Sequence, residues 1–152
     1  MKLVVDEWLW ADAGGDNGPE RQKDSLRFLE AVSQRCDKIV IPHGTPFVHK
    51  FHELCKRAGP NHPARPIVHY FKGKFLSNSE KGELLKLPTN PPEQANPKDH
   101  VKPDDHYLVL TLEHSQADLL VTADGPLIAT LRECGRPVVH RDEFLPNYIS
   151  GN

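Results

Sequence analysis

The sequence predicts an α/β domain with three layers, in which helices cover both faces of a central and mostly parallel β-sheet. Short apolar runs of strand length alternate along the chain with segments whose apolar residues recur at helical spacing. The predicted strands are apolar throughout, which is typical of parallel strands buried on both faces. The chain has 152 residues, a length that predicts one domain spanning residues 1–152.

The first third of the chain predicts two strands and two helices. Phe28, Leu29 and Val32 recur at helical spacing, and Pro46 suits the first turn of a second helix. The predicted elements are a strand at 3–6, a glycine-rich loop up to Pro19, a helix at 20–36, a strand at 38–41 and a helix at 45–58.

The middle of the chain is rich in proline. Residues 60–103 hold eight of the 14 prolines, and residues 86–103 are expected to form a loop or an ordered insertion. Residues 67–76 fit a helix or a strand, and 83–87 fit a short strand. The later predicted elements are a helix from Pro103 to Ser115, a strand at 119–122, a helix at 127–134, a strand at 137–140 and a short helix around 143–145.

Acidic residues follow two of the predicted strands. Asp6 ends the first strand, and Asp124 comes just after the strand at 119–122. Ligands of an open parallel sheet bind beyond the carboxyl ends of its strands. Asp104 and Asp105 begin the helix that runs back to that strand, so they are expected at the same edge. Glu53 lies in the middle of another helix that starts there.

Carboxylates gathered at one sheet edge indicate a cation site. Their mutual repulsion must be relieved by protons or by cations. Mg²⁺ and Mn²⁺ prefer carboxylate oxygens, and such ions near a phosphodiester activate water and neutralise the charge that develops on the phosphate. The pattern therefore predicts a metal-dependent nuclease.

The order and spacing of four motifs resemble the PIN-domain family over nearly the whole chain. They are Leu3-Val4-Val5-Asp6, Ile39-Val40-Ile41-Pro42 before the helix that bears Glu53, Pro103-Asp104-Asp105-His106-Tyr107-Leu108, and Ala117-Asp118-Leu119-Leu120-Val121-Thr122-Ala123-Asp124. Members are typically Mg²⁺- or Mn²⁺-dependent ribonucleases, and many are toxins of toxin–antitoxin pairs. The resemblance implies that Asp6, Glu53, Asp105 and Asp124 are the catalytic, metal-binding acids, with Asp104 as a neighbour or substitute for Asp105. It also implies an antitoxin partner and a homodimer.

Several alternatives stay open at this point. Glu30, on the preceding helix, is an alternative to Glu53. Glu7 and Trp8 follow Asp6 where the family commonly has a small hydroxyl residue and then Asn. One interpretation is that Glu7 compensates for the missing polar residue; the alternative function is an inactive RNA-binding or protein-interaction module. A phosphohydrolase for a small phosphorylated substrate would use the same carboxylates.

The charge distribution bears on the predicted RNA partner. The formal net charge is −2, but residues 50–102 contain ten Lys and Arg against five acids. Tyr70, Phe71 and Phe75 interleave with Lys72 and Lys74, a pattern suited to single-stranded nucleic acid, where bases stack and cations follow the backbone. Of these, Tyr70, Lys72 and Lys74 are the predicted RNA-contacting residues.

Composition argues against several classes of protein. No apolar run approaches the ~20 residues that span a bilayer, so no membrane partner is expected. The start of the sequence lacks the apolar stretch of a secretory signal, which favours the cytoplasm. The three cysteines are too scattered for a disulfide framework. No Gly-rich phosphate loop and no nucleophile-elbow motif occurs.

Overall fold

A computed structural model describes residues 1–88 and 101–151. The strands are β1 (Lys2–Val5), β2 (Lys38–His43), β3 (Gly82–Lys86), β4 (Leu119–Thr122) and β5 (Val138–His140). The α-helices are α1 (Trp8–Ala13), α2 (Pro19–Gln34), α3 (Pro46–Arg57), α4 (Arg65–Phe71), α5 (His106–Ser115), α6 (Gly125–Glu133) and α7 (Arg141–Ser150). A π-helical turn, Lys72–Leu76, continues α4, and a 3₁₀ turn, Pro103–Asp105, precedes α5.

The strands form one sheet in the order β3-β2-β1-β4-β5, and every described pairing is parallel. The chain first moves outward from β1 to β3, then crosses back to β4 beside β1 and moves outward to β5. The direction of winding therefore reverses between β1 and β4. The point where the winding reverses is the usual ligand-binding position of an open parallel sheet.

The helices make the other two layers. Parallel crossovers are right-handed, so the connections that carry α1 to α4 lie on one face and those that carry α5 and α6 lie on the other. Helix α7 packs against α2 as well as β4 and β5, which places it on the first face. The predicted three-layer α/β fold is thus confirmed.

The core forms around the sheet and an aromatic group on the first face. The inner residues of β1, β2 and β4 are almost fully buried. The Trp10 ring lies 5.2 Å from the Phe47 ring and 4.7 Å from those of Phe51 and Phe71, measured between centroids. These contacts join α1, α3 and α4 into one layer, in which α3 packs against β2.

The segment after β1 differs from the prediction of a loop up to Pro19. Its first part is the helix α1, because Trp8, Leu9 and Trp10 are all buried against the sheet and neighbouring helices. Trp8 Nε1 also donates a 3.0 Å hydrogen bond to the carbonyl of Val121 in β4. Tertiary burial stabilises a helix of six residues that is too short to persist alone.

Other boundaries agree closely with the predictions. Residues 67–76, which fitted a helix or a strand, are helical in α4 and the π-helical turn. The last helix is longer than the predicted 143–145 and contains Pro146. Most of the predicted insertion at 86–103 lies outside the described residues. No helix among the described residues has the length and apolar character needed to cross a membrane.

Candidate active site

The ends of β1 and β4 lie side by side, and an aspartate follows each. Val5 pairs with Val121, so Asp6 continues β1 at the level where β4 ends. Asp124 lies two residues beyond β4 and is the N-cap of α6, where its Oδ1 accepts a 3.0 Å bond from the Leu127 amide. The structure thus brings the two predicted strand-end acids together at the reversal point of the sheet.

Hydrogen bonds fix the Asp6 carboxylate. Its Oδ1 accepts a 3.1 Å bond from the Trp8 amide, and its Oδ2 accepts a bond from the Thr122 hydroxyl. The Thr122 hydroxyl oxygen also accepts a 3.1 Å bond from the amide of Asp124. Burial raises the pKa of Asp6 above its ordinary value, and nearby Asp124 adds to the rise, against the lowering effect of these hydrogen bonds.

Asp105 joins this pair from the 3₁₀ turn before α5. Burial raises the pKa of Asp105, and the charges of Asp124 and Asp6 raise it further. Asp105 and Asp124 also line a small cavity of about 60 Å³ together with Lys102. The neighbouring Asp104 is exposed. Of these two adjacent acids, Asp105 therefore lies in the cluster and Asp104 at its margin.

Glu7 is a member of the cluster that the predicted acid quartet omits. The Tyr107 hydroxyl donates a 3.0 Å bond to Glu7 Oε2. Burial raises the pKa of Glu7, and the charges of Asp6 and Asp105 contribute to the rise. Its position directly after Asp6 was the available signal. The prediction of a loop there gave no reason to expect its side chain to face Asp105 from the opposite layer.

The structure places Glu53 apart from this cluster. Glu53 is exposed on α3 and forms a 3.4 Å ion pair with Lys50. It is not among the main charges that shift the pKa values of Asp6, Glu7 or Asp105, and the same holds for Glu30 on α2. Glu7, rather than Glu53 or Glu30, is therefore the glutamate whose charge interacts most with Asp6 and Asp105.

Glu53 instead lines a larger cavity between α1 and α3, which we call the α1–α3 cleft. The cleft has a volume of about 570 Å³. Glu7 lines it from the side of the acid cluster, and Glu53, Lys50 and Arg57 line it from α3. The acid cluster and the cleft therefore meet at Glu7.

The predicted RNA-contacting residues lie around α4. Lys72 and Lys74 are exposed in the π-helical turn. The Tyr70 ring is partly buried against the core, and its hydroxyl is hydrogen-bonded to Ser33 at 2.5 Å. Phe71 and Phe75 are buried in the core. The described surface at this position is thus basic, with its phenylalanines turned inward.

The donor set suits a hard cation that keeps much of its water. Within residues 1–88 and 101–151, no three His, Cys, Asp or Glu side chains form a group able to hold a metal ion. Magnesium, however, is usually bound by one or two carboxylates together with waters and substrate phosphates. Asp6 and Asp124 supply the two carboxylates that such a site needs, and the small cavity beside Asp105 is larger than the ~10–15 Å³ needed to hold one water.

Comparison of the chain with protein-family models, with curated proteins and with solved structures finds no match. The fold is that of a three-layer α/β protein, and every described strand pairing in its sheet is parallel. The site defines a carboxylate cluster at the reversal point of that sheet. The resemblance to PIN domains accordingly rests on the order of the motifs in the chain.

Proposed function

We propose that this protein is a divalent-metal-dependent ribonuclease that hydrolyses phosphodiester bonds of single-stranded RNA. The observation that carries the proposal is the convergence of Asp6, Asp124, Asp105 and Glu7 where the winding of the sheet reverses. The resemblance to PIN domains supports the same activity. Lys72 and Lys74 are exposed and available to contact the RNA backbone.

The carboxylates have distinct parts in the proposed mechanism. Asp6, Asp105 and Asp124 would hold Mg²⁺ or Mn²⁺. When bound, the cation supplies a more acidic water and neutralises charge that develops on the phosphate. Thr122 keeps the Asp6 carboxylate oriented through its hydroxyl.

Glu7 is placed to accept a proton. The Tyr107 hydroxyl donates to Oε2 of its carboxylate and so holds the side chain in place. A partly buried carboxylate with a raised pKa is a better base than an ordinary one near neutral pH. We therefore assign to Glu7 the removal of a proton from the attacking water.

The test uses a single-stranded RNA and the double variant Asp6→Asn/Asp124→Asn. We expect cleavage by the wild type with Mn²⁺ or Mg²⁺ and none with EDTA. The double variant should lose more than about 100-fold, since even outer-shell partners of metal ligands contribute roughly 10–100-fold. Asp24→Asn is the matched control, because Asp24 lies on α2 and forms a 3.6 Å ion pair with Arg27 there. Undiminished cleavage by the double variant would exclude this assignment.

An inactive RNA-binding or protein-interaction module is the second candidate. It is favoured by the finding that, among the described residues, no three His, Cys, Asp or Glu side chains form a group that could hold a metal ion. RNA binding without any metal-stimulated turnover would select this candidate over the enzyme.

A toxin role, with a small antitoxin as partner and a homodimeric state, is a separate proposal that rests on the resemblance. Expression in a bacterial host should arrest growth, and Asp6→Asn should relieve the arrest. Normal growth with an active enzyme would reject the toxin role and leave the ribonuclease unaffected.

A further inference from the structure

The α1–α3 cleft adjoins the acid cluster and has the size of a small-ligand site. Its volume of about 570 Å³ lies within the ~300–1,000 Å³ typical of such sites. Glu7 lines the cleft and also belongs to the acid cluster, where Tyr107 holds it. A group bound in the cleft would therefore lie next to the reacting phosphate.

The charges that line the cleft argue against a phosphate ligand. Three acids, Glu7, Asp16 and Glu53, face two cations, Lys50 and Arg57. Both cations already form ion pairs, Lys50 with Glu53 at 3.4 Å and Arg57 with Asp16 at 3.5 Å. A lining with excess negative charge suits a neutral ligand that both donates and accepts hydrogen bonds.

Arg57 joins α3 to the end of α1. Its Nη2 packs against Gly14, in the space that a side chain at that position would take. Its Nη1 pairs with Asp16, so Arg57 lines the cleft from a position that contacts both helices.

We propose that the α1–α3 cleft binds one unstacked guanine base of the RNA, next to the bond that is cut. Guanine offers the acceptors O6 and N7, the usual partners of arginine and lysine, together with N–H donors that carboxylates accept. Unstacked bases of single-stranded RNA are read in this way by pockets. The proposal rests on the proposed ribonuclease function and adds a base preference to it.

Intrinsic fluorescence tests the base preference without any catalysis. Trp8 and Trp10 are the only two tryptophans of the chain, and both line the cleft. The full chain in EDTA is titrated with GMP, AMP, CMP and UMP while tryptophan emission is recorded. We expect GMP to bind about tenfold more tightly than the other three, as is typical of one good bidentate base contact.

Two variants connect this binding to the cleft. Glu53→Gln and Arg57→Met should each weaken GMP binding about tenfold. Glu20→Gln is the matched control, because Glu20 forms a similar exposed pair with Lys23, at 3.3 Å on α2. Equal binding of the four nucleotides, or GMP binding unchanged in both variants, would overturn the proposal.

Cleavage of end-labelled RNA separates this proposal from the ribonuclease itself. A single-stranded RNA with one G among A, C and U should be cut next to the G, and Arg57→Met should spread the cuts over other positions. Metal-dependent cleavage without base preference would overturn the guanine pocket and leave the ribonuclease standing. Selective GMP binding without any RNA cleavage would overturn the ribonuclease and leave the pocket standing.

Discussion

Thr122 connects the two aspartates of the candidate site. It is fully buried at the end of β4, where its hydroxyl donates to Asp6 and accepts from the amide of Asp124. One side chain thus fixes a carboxylate on β1 relative to the start of α6. It also lowers the pKa of Asp6 and so opposes the effect of burial.

Replacing Thr122 by valine removes this hydroxyl at nearly constant shape. We expect the Asp6 pKa to rise further, since the hydrogen bond that favours the charged form is lost. The acidic limb of the pH–rate profile of RNA cleavage should move to higher pH, with activity about tenfold lower. Thr122→Ser, which keeps the hydroxyl, should retain the wild-type profile. An unshifted profile in the valine variant would contradict the orienting role of Thr122.

At the level of the helices, a buried ion pair attaches α1 to α7. Asp12 is completely buried, and Arg141 is 9% exposed. Arg141 Nη1 donates to both Asp12 oxygens, at 3.1 and 2.9 Å, and Asn17 Nδ2 donates to Oδ1 at 2.7 Å. Because α1 carries Trp10 and follows Glu7, this pair holds the helix that joins the acid cluster to the cleft.

Asp12→Ala should destabilise the fold by about 3–5 kcal/mol, because it leaves Arg141 buried without its main partner. The free energy of unfolding measured in urea would show this loss. The double variant Asp12→Leu/Arg141→Met should be more stable than either single variant, since no buried charge is then left unpaired. A loss below about 1 kcal/mol for Asp12→Ala would show that Arg141 is satisfied elsewhere.

For the whole molecule, the acid cluster is a source of instability that a cation should relieve. The pKa values of Asp6, Glu7 and Asp105 are all raised. Burial makes the largest contribution, and the charges of neighbouring acids add to it. A carboxyl whose pKa is higher in the folded state destabilises the fold at neutral pH, and this cost falls as the pH drops through the raised pKa. Protons and divalent cations therefore compete for the same oxygens.

Mn²⁺ should raise the melting temperature at pH 7.5 and raise it less at pH 5.5. The affinity measured by calorimetry should be lower at pH 5.5, because the raised pKa values of the acids let protons compete with the ion. Asp6→Asn/Asp124→Asn should remove the Mn²⁺ effect at both pH values. Equal Mn²⁺ affinity at pH 7.5 and 5.5 would contradict binding by this cluster.

The periodicity of the chain was sufficient to predict the fold class. Buried parallel strands are apolar throughout, and the helices between them carry apolar residues at helical spacing, so both signals are local. The placement of Asp6 and Asp124 at one edge follows from the same reasoning, because parallel strands end on the same side. These features needed no knowledge of distant contacts.

Features that depend on contacts between layers required the tertiary structure. Helix α1 forms because the burial of Trp8 and Trp10 stabilises it. The glycines that predicted a loop carry no information about that burial. Glu7 enters the acid cluster because Tyr107, a hundred residues later, bonds to it from α5, whereas Glu53 turns toward Lys50 and the cleft. The sequence alone was therefore enough for the architecture and its strand-end acids. Packing decided which other side chains complete the site, because the direction of a side chain is set by neighbours that are distant in the chain.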